Sequence, residues 1–77
     1  MKYIVLKTSR GERPVLFPSE FSHRDLADFF APAPIAAAGF VHEGADGISC
    51  GGASAGLRIG SRGSQDAALI RAALGED

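Results

Sequence analysis

Ser54 stands within Gly52-Ala53-Ser54-Ala55-Gly56, the G-x-S-x-G pattern in which small flanking residues let a strained strand-to-helix turn expose a nucleophilic serine. That chemistry needs a helix after the serine and, further along the chain, an acid and then a histidine base. Here Gly56-Leu57-Arg58-Ile59 reads as a strand, and His23 and His42 both precede Ser54. The stretch is therefore read as a glycine-rich hairpin. His23-Arg24-Asp25-Leu26 repeats the opening of the kinase catalytic loop, whose aspartate takes a substrate proton and whose asparagine, five positions on, holds Mg²⁺. Phe30 occupies that position, so the four residues are read as a capped helix start with a surface histidine. Cys50 with His42 and Asp46 would make a thiolate, a base and an orienting acid. Their spacing gives no such arrangement, and a lone cysteine in an apolar strand is expected to be a packed residue. One cysteine and two separated histidines also lack zinc-site spacing. The run Gly51–Gly56 is followed by no lysine and opens no helix, so it is not a phosphate-binding loop. No metal, cofactor or catalytic residue is expected. An enzyme, if there were one, would be a thiol or serine hydrolase silenced by Cys50→Ala or Ser54→Ala.

Charge is distributed unevenly. Residues 1–13 carry Lys2, Lys7, Arg10 and Arg13 against Glu12, a net of +3. Residues 14–57 carry Glu20, Asp25, Asp28, Glu43 and Asp46 against Arg24, a net of −4. Clustered acids steer a protein to a basic cleft on a partner, or imitate a phosphate backbone there. Spread acids only keep a protein soluble, and the fold decides between the two.

The elements that must position these groups are short. Lys2–Thr8 alternates in a β-branched and aromatic run, which is a strand pattern. Ser9-Arg10-Gly11-Glu12 is a turn, and Arg13–Phe17 pairs back as a hairpin, with Pro14 confining that strand to an edge or to its own first residue. Ser22 reads as an N-cap with Asp25 completing a capping box, and Phe21 and Leu26 fall at the two positions of a hydrophobic staple. Leu26, Phe29 and Phe30 give that helix one apolar face, and Pro32 and Pro34 end it. In Ile35–Glu43 three alanines favour helix, while Pro34, Gly39 and Phe40-Val41 favour strand, and strand is taken. Gly44–Gly47 is a turn, and Ile48–Cys50 and Gly56–Ile59 are short strands. Eight of the ten glycines fall between residues 39 and 63, which argues against helix there. Ser64 is expected to cap a last helix ending at Gly75, with Ala67, Ile70, Ala73 and Leu74 buried and Gln65, Arg71 and Glu76 wet. The order ββαβββα predicts an α+β domain, an antiparallel sheet of about five strands with both helices on one face.

Seventy-seven residues allow one domain, 1–77, and a single cysteine allows no internal disulfide, so packing alone must hold it. An apolar fraction of 45% against 22% charged is that of a folded chain rather than a disordered one. The net charge of −1 excludes the strongly basic balance of backbone-driven nucleic-acid binding. The opening apolar run of four, Tyr3–Leu6, is too short for a signal segment or a membrane span. A cytoplasmic protein with Cys50 reduced is expected.

Ala38-Gly39-Phe40-Val41, then Cys50-Gly51-Gly52-Ala53-Ser54, then Gly56–Ile70, together with the opening Met1–Lys7, resemble small phage and prophage proteins of about this length. Some such mobile-element proteins are anti-CRISPRs, which bind a CRISPR effector complex and block target DNA recognition or nuclease recruitment without enzymatic activity. The resemblance implies a non-enzymatic protein-binding inhibitor in a bacterial host cell, with a CRISPR effector subunit as its sharpest partner. Charge, rather than the resemblance, nominates Glu20, Asp25, Asp28, Glu43 and Asp46 as the residues that engage lysines and arginines otherwise used to hold DNA. The alternative is a small nucleic-acid-binding module, with Lys2, Lys7, Arg10 and Arg13 on phosphates and Tyr3 stacked on a base. No membrane partner and no small-molecule substrate are expected. Exposed sheet edges are compatible with a dimer by strand pairing and equally with a monomer.

Overall fold

The computed structural model describes residues 1–75. Strand β1 (Lys2–Thr8) and strand β2 (Gly11–Phe17) form the expected hairpin around a two-residue turn, Ser9-Arg10, where Gly11 takes φ +109°. Only a residue without Cβ enters that region at no steric cost. Helix α1 (His23–Phe29) begins with the expected capping box. Ser22 Oγ accepts from Asp25 N–H at 3.0 Å, and Asp25 Oδ2 accepts from Ser22 N–H at 3.2 Å. The helix stops after two turns at Phe30, ahead of Pro32 and Pro34.

Strand β3 (Ile35–Gly44) and strand β4 (Gly47–Gly51) form a second hairpin across Ala45-Asp46. The sheet order is β2-β1-β3-β4, every neighbour antiparallel. Pro14 lies on the edge strand β2, where its missing N–H costs no ladder bond. Strands β5 (Ala53–Ser54) and β6 (Ile59–Gly60) make a separate two-stranded ribbon, and helix α2 (Ser64–Ala73) completes the chain. The fold is α+β, with four strands in the main sheet and two in the ribbon. Residues 56–58, expected as strand, form a turn instead, and only Ile59 of that run pairs. Arg58 N–H donates to Ala55 O at 3.3 Å and Leu57 N–H to Ser54 Oγ at 3.2 Å, bonds that close the turn, with Arg58 at φ +56°.

The helices lie on opposite faces of the sheet, not on one. Tyr3 and Val5 pack with Ala37 of β3 and Ile70 of α2. Ile4 and Leu6 pack with Phe17 and Ala38, covered by Leu26 and Phe30 on the α1 side and by Leu57 and Ile59 near the ribbon. All four of Tyr3-Ile4-Val5-Leu6 are buried. A central strand with no polar alternation requires cover on both sides. Ala37 and Ala38 are the small residues that let the cover approach β3 closely, so tertiary packing overrides their helical propensity.

Two details of the helices differ from expectation. Gly63, at φ +64°, is the N-cap of α2, and Ser64 is its first helical residue. Ala67 and Ile70 are buried as expected, but Ala73 and Leu74 are exposed, Leu74 on the border of an open groove beside Ile70. Arg71 is half-buried and donates to Ile48 O at 3.2 Å. Glu76 lies outside the described residues.

Candidate functional site

Two groupings of side chains stand out, one on each face. The first surrounds Asp66, in the first turn of α2, whose side chain is 0% exposed. Tyr3 donates its hydroxyl proton to Asp66 Oδ2 at 2.5 Å, and Arg62 N–H reaches the same oxygen at 2.8 Å. Arg62 Nε donates to Oδ1 at 2.7 Å, and the two Nη groups clasp both oxygens of Glu12 at 2.9 Å each. Tyr3 has one proton and gives it to the carboxylate, so Ser61 Oγ, 2.7 Å away, donates to Tyr3 and accepts Gly63 N–H at 2.9 Å. The chain of donors and acceptors is complete. Among the described residues no buried side-chain N or O lacks a partner.

The electrostatics of this group are those of a lock rather than a reactive centre. Burial, and then the bond to Asp66, push the Tyr3 hydroxyl well above the ordinary tyrosine value, so it keeps its proton. The Arg62 guanidinium holds Glu12 below the ordinary carboxylate value. Burial pushes the Cys50 thiol up, with the Asp66 charge adding to it, so a thiolate is disfavoured. Ser54 is buried, and its Oγ accepts Leu57 N–H at 3.2 Å, closing the turn after β5. That turn takes the place a nucleophile elbow would give to a helix. Among the described residues no group of three His, Cys, Asp or Glu is placed to hold a metal ion.

His23, expected at the surface, is buried between Phe17 and Phe40, edge to face with each at 5.6 and 5.5 Å. Its Nε2 is 2.8 Å from Gly39 O, a carbonyl that can only accept, so that nitrogen carries a proton. The histidine fastens α1 to β3.

The second grouping is on the α1 face. Phe17, Pro18, Phe21, Leu26 and Phe29 line an open apolar groove of about 300 Å³, with Asp25 on its rim. Phe29 is 78% exposed and Phe21 47%. The expected buried stripe of Leu26, Phe29 and Phe30 is thus incomplete. Leu26 and Phe30 reach the sheet, whereas Phe29 stays in solvent, its ring edge to face with that of Phe30 at 5.0 Å between centroids. A two-turn helix presents too narrow a stripe to bury all three.

The five nominated acids do not converge on one patch. Glu20, Asp25 and Asp28 are exposed in and just before α1. Glu43 instead borders a separate groove of about 610 Å³ on the α2 face, beside Leu16, Val41, Ile48 and Ile70, and Asp46 sits in the β3–β4 turn. Of the basic residues, Lys7, Arg10 and Arg13 lie at the turn end of the β1–β2 hairpin, with Glu12 paired across from Lys7, while Lys2 lies at the hairpin's open end, tied to Phe21 O at 2.9 Å. Tyr3, nominated to stack on a base, is fully buried with its hydroxyl committed to Asp66, and cannot do so.

Sequence reasoning missed the Asp66 network and the two exposed phenylalanines. A tyrosine within a wholly apolar run signals a buried hydroxyl that must find a partner. The staple pattern had hidden Phe21 by assigning it to packing. Comparisons with family models, with curated proteins and with solved structures found no match.

Proposed function

We propose that the protein is a non-enzymatic protein-binding module of mobile-element origin, acting as an inhibitor, with blockade of a CRISPR effector's DNA binding as its sharpest form. One observation carries the binding reading. Phe21 and Phe29 stand in solvent beside a groove whose floor, Phe17 and Leu26, is already largely dry. Exposed aromatic side chains next to a desolvated pocket are the usual anchors of protein interfaces. Asp25 lines the groove, and the exposed Glu20 and Asp28 adjoin Phe21 and Phe29 in the chain, giving the rings acidic neighbours. The mobile-element origin and the effector target rest on the resemblance alone. Burial of Tyr3, the ring that would stack on a base, and the presence of Glu12 across from Lys7 weigh against the nucleic-acid alternative.

The test is a tagged pull-down from host lysate containing CRISPR effectors, at moderate and high salt, with captured proteins identified by mass spectrometry. Capture of an effector subunit by the native protein and not by Phe21→Ser/Phe29→Ser supports the proposal. Capture of no effector subunit, or capture the double variant retains, overturns it.

A further inference from the structure

We infer that the α1 groove takes a partner segment in which lysine or arginine side chains flank one bulky apolar side chain; this rests on the protein-binding reading above and gives the partner its chemistry. The groove's volume, about 300 Å³, lies at the low end of binding cavities, so it suits a side chain rather than a whole element. Its walls are the rings of Phe21 and Phe29, and its floor is apolar. The partner's anchor is therefore apolar.

Charge decides what surrounds that anchor. From Glu20 to Asp28 the chain carries three acids and one base. Among the described residues the side-chain ion pairs are those of Arg62 with Glu12 and Asp66, so Glu20, Asp25 and Asp28 have no cation within pairing distance. Arg24, one helical turn from Asp28, does not pair with it, and instead donates to Gly56 O at 3.0 Å. Lys2, the other nearby cation, is held by Phe21 O. Three carboxylates without an ion pair outnumber these two cations, so the face stays net acidic and attracts a cationic segment, and a guanidinium or ammonium gains further by lying over a phenyl face. An acidic segment would be repelled there, which gives the surface selectivity as well as affinity.

The α2-side groove does not compete as a candidate. Among the described residues, Glu43 is the one acid on its border, against three carboxylates on the α1 face, and no exposed phenyl ring lines it.

A displayed library of random linear peptides, panned on the intact protein, tests the inference directly. The expected winners share a bulky apolar residue with Lys or Arg within a helical turn on either side. Their affinity falls at least about tenfold on Glu20→Lys/Asp28→Lys and on Phe29→Ser, and falls again as salt rises. Circular dichroism of each variant confirms that the fold is kept. Winners that are acidic or uncharged, or whose binding ignores charge reversal while still needing Phe29, overturn the partner chemistry and leave the binding reading standing. Winners indifferent to Phe29 as well, or no winners at all, overturn the α1 groove as a site for such segments, and the pull-down then judges the wider reading separately.

Discussion

The two faces of the sheet solve opposite problems. On the α2 side, a polar network runs inward from the partly exposed Glu12 through Arg62 to the buried Asp66 and Tyr3 and on to Ser61, and each of these groups is partnered. On the α1 side, aromatic rings remain in water although an apolar surface lies beside them. A protein this small has little core to spare. It has placed its most specific interactions where they fix α2 to β1 and β2, and left its most adhesive surface open on the other side.

The largest effect is expected from removing the carboxylate on which the first face converges. Asp66→Ala strands Tyr3, Arg62 and the Arg62 backbone N–H together. Breaking a buried charged pair costs roughly 3–5 kcal/mol, a large share of the 5–15 kcal/mol typical of a domain. Urea unfolding followed by circular dichroism measures it. A loss below about 1 kcal/mol would show that α2 is held by Ala67 and Ile70 alone.

Next in size is Gly39→Ala. The chain crosses from the ribbon side to the Tyr3 side past Gly39, and a Cβ there would meet Gly51 O at 2.6 Å and Ser61 Cβ at 3.0 Å. The backbone oxygen cannot swing away, so a loss of about 1–3 kcal/mol is expected. Gly56→Ala is the control, since its Cβ would meet nothing within 4 Å.

Tyr3 permits a sharper probe of the same face. It is the chain's one tyrosine and there is no tryptophan, so ultraviolet titration of tyrosinate reports this residue alone. The raised folded value means that the native state keeps the proton while the unfolded state loses it above the ordinary value of 10.0. Stability is thus intact below pH 10 and falls as pH rises beyond it, with ionisation appearing only on unfolding. Tyr3→Phe should remove that alkaline slope and cost about 1–3 kcal/mol for the unpaired acceptor. Tyrosinate appearing near pH 10 in the folded protein would contradict the buried bond.

Much of the fold was legible because its signals are local. Ser22 and Asp25 declare a helix start, Pro14 an edge, and Gly44–Gly47 a turn, each through the chemistry of the residues themselves. The placement of the helices on opposite faces was missed, although the four consecutive apolar residues Tyr3–Leu6 demand cover on both sides. The Asp66 network was not legible, because its members lie up to 63 positions apart and only the crossing of the chain past Gly39 brings them together. Phe29 misled for a related reason. Helical spacing shows which residues share a stripe, but not how wide a stripe a two-turn helix can bury.

Acid tests the outer end of the same network with a smaller effect. Arg62 lowers Glu12 from its ordinary 4.5, so this contribution is present above that value and is lost as pH falls through the lowered one. Glu12→Gln should flatten part of the acid limb of stability against pH, leaving neutral stability little changed because Glu12 is the partly exposed end. An unchanged acid limb would assign the whole dependence to other carboxylates.

The smallest effect on stability is expected from Phe29→Ser, and that smallness is its value. A ring 78% exposed contributes little to folding, so unfolding should shift by no more than about 0.5 kcal/mol. Partner binding should nonetheless collapse if the α1 face is the docking surface, because an interface anchor loses its whole pocket contact. The pair of measurements separates the two faces: a variant that unfolds the protein reports on packing, and one that leaves folding alone while abolishing binding reports on recognition. If Phe29→Ser instead destabilised the fold as much as Gly39→Ala, the ring would belong to the core that Leu26 and Phe30 share, and the contrast between a locked face and an open one would fail at its clearest point.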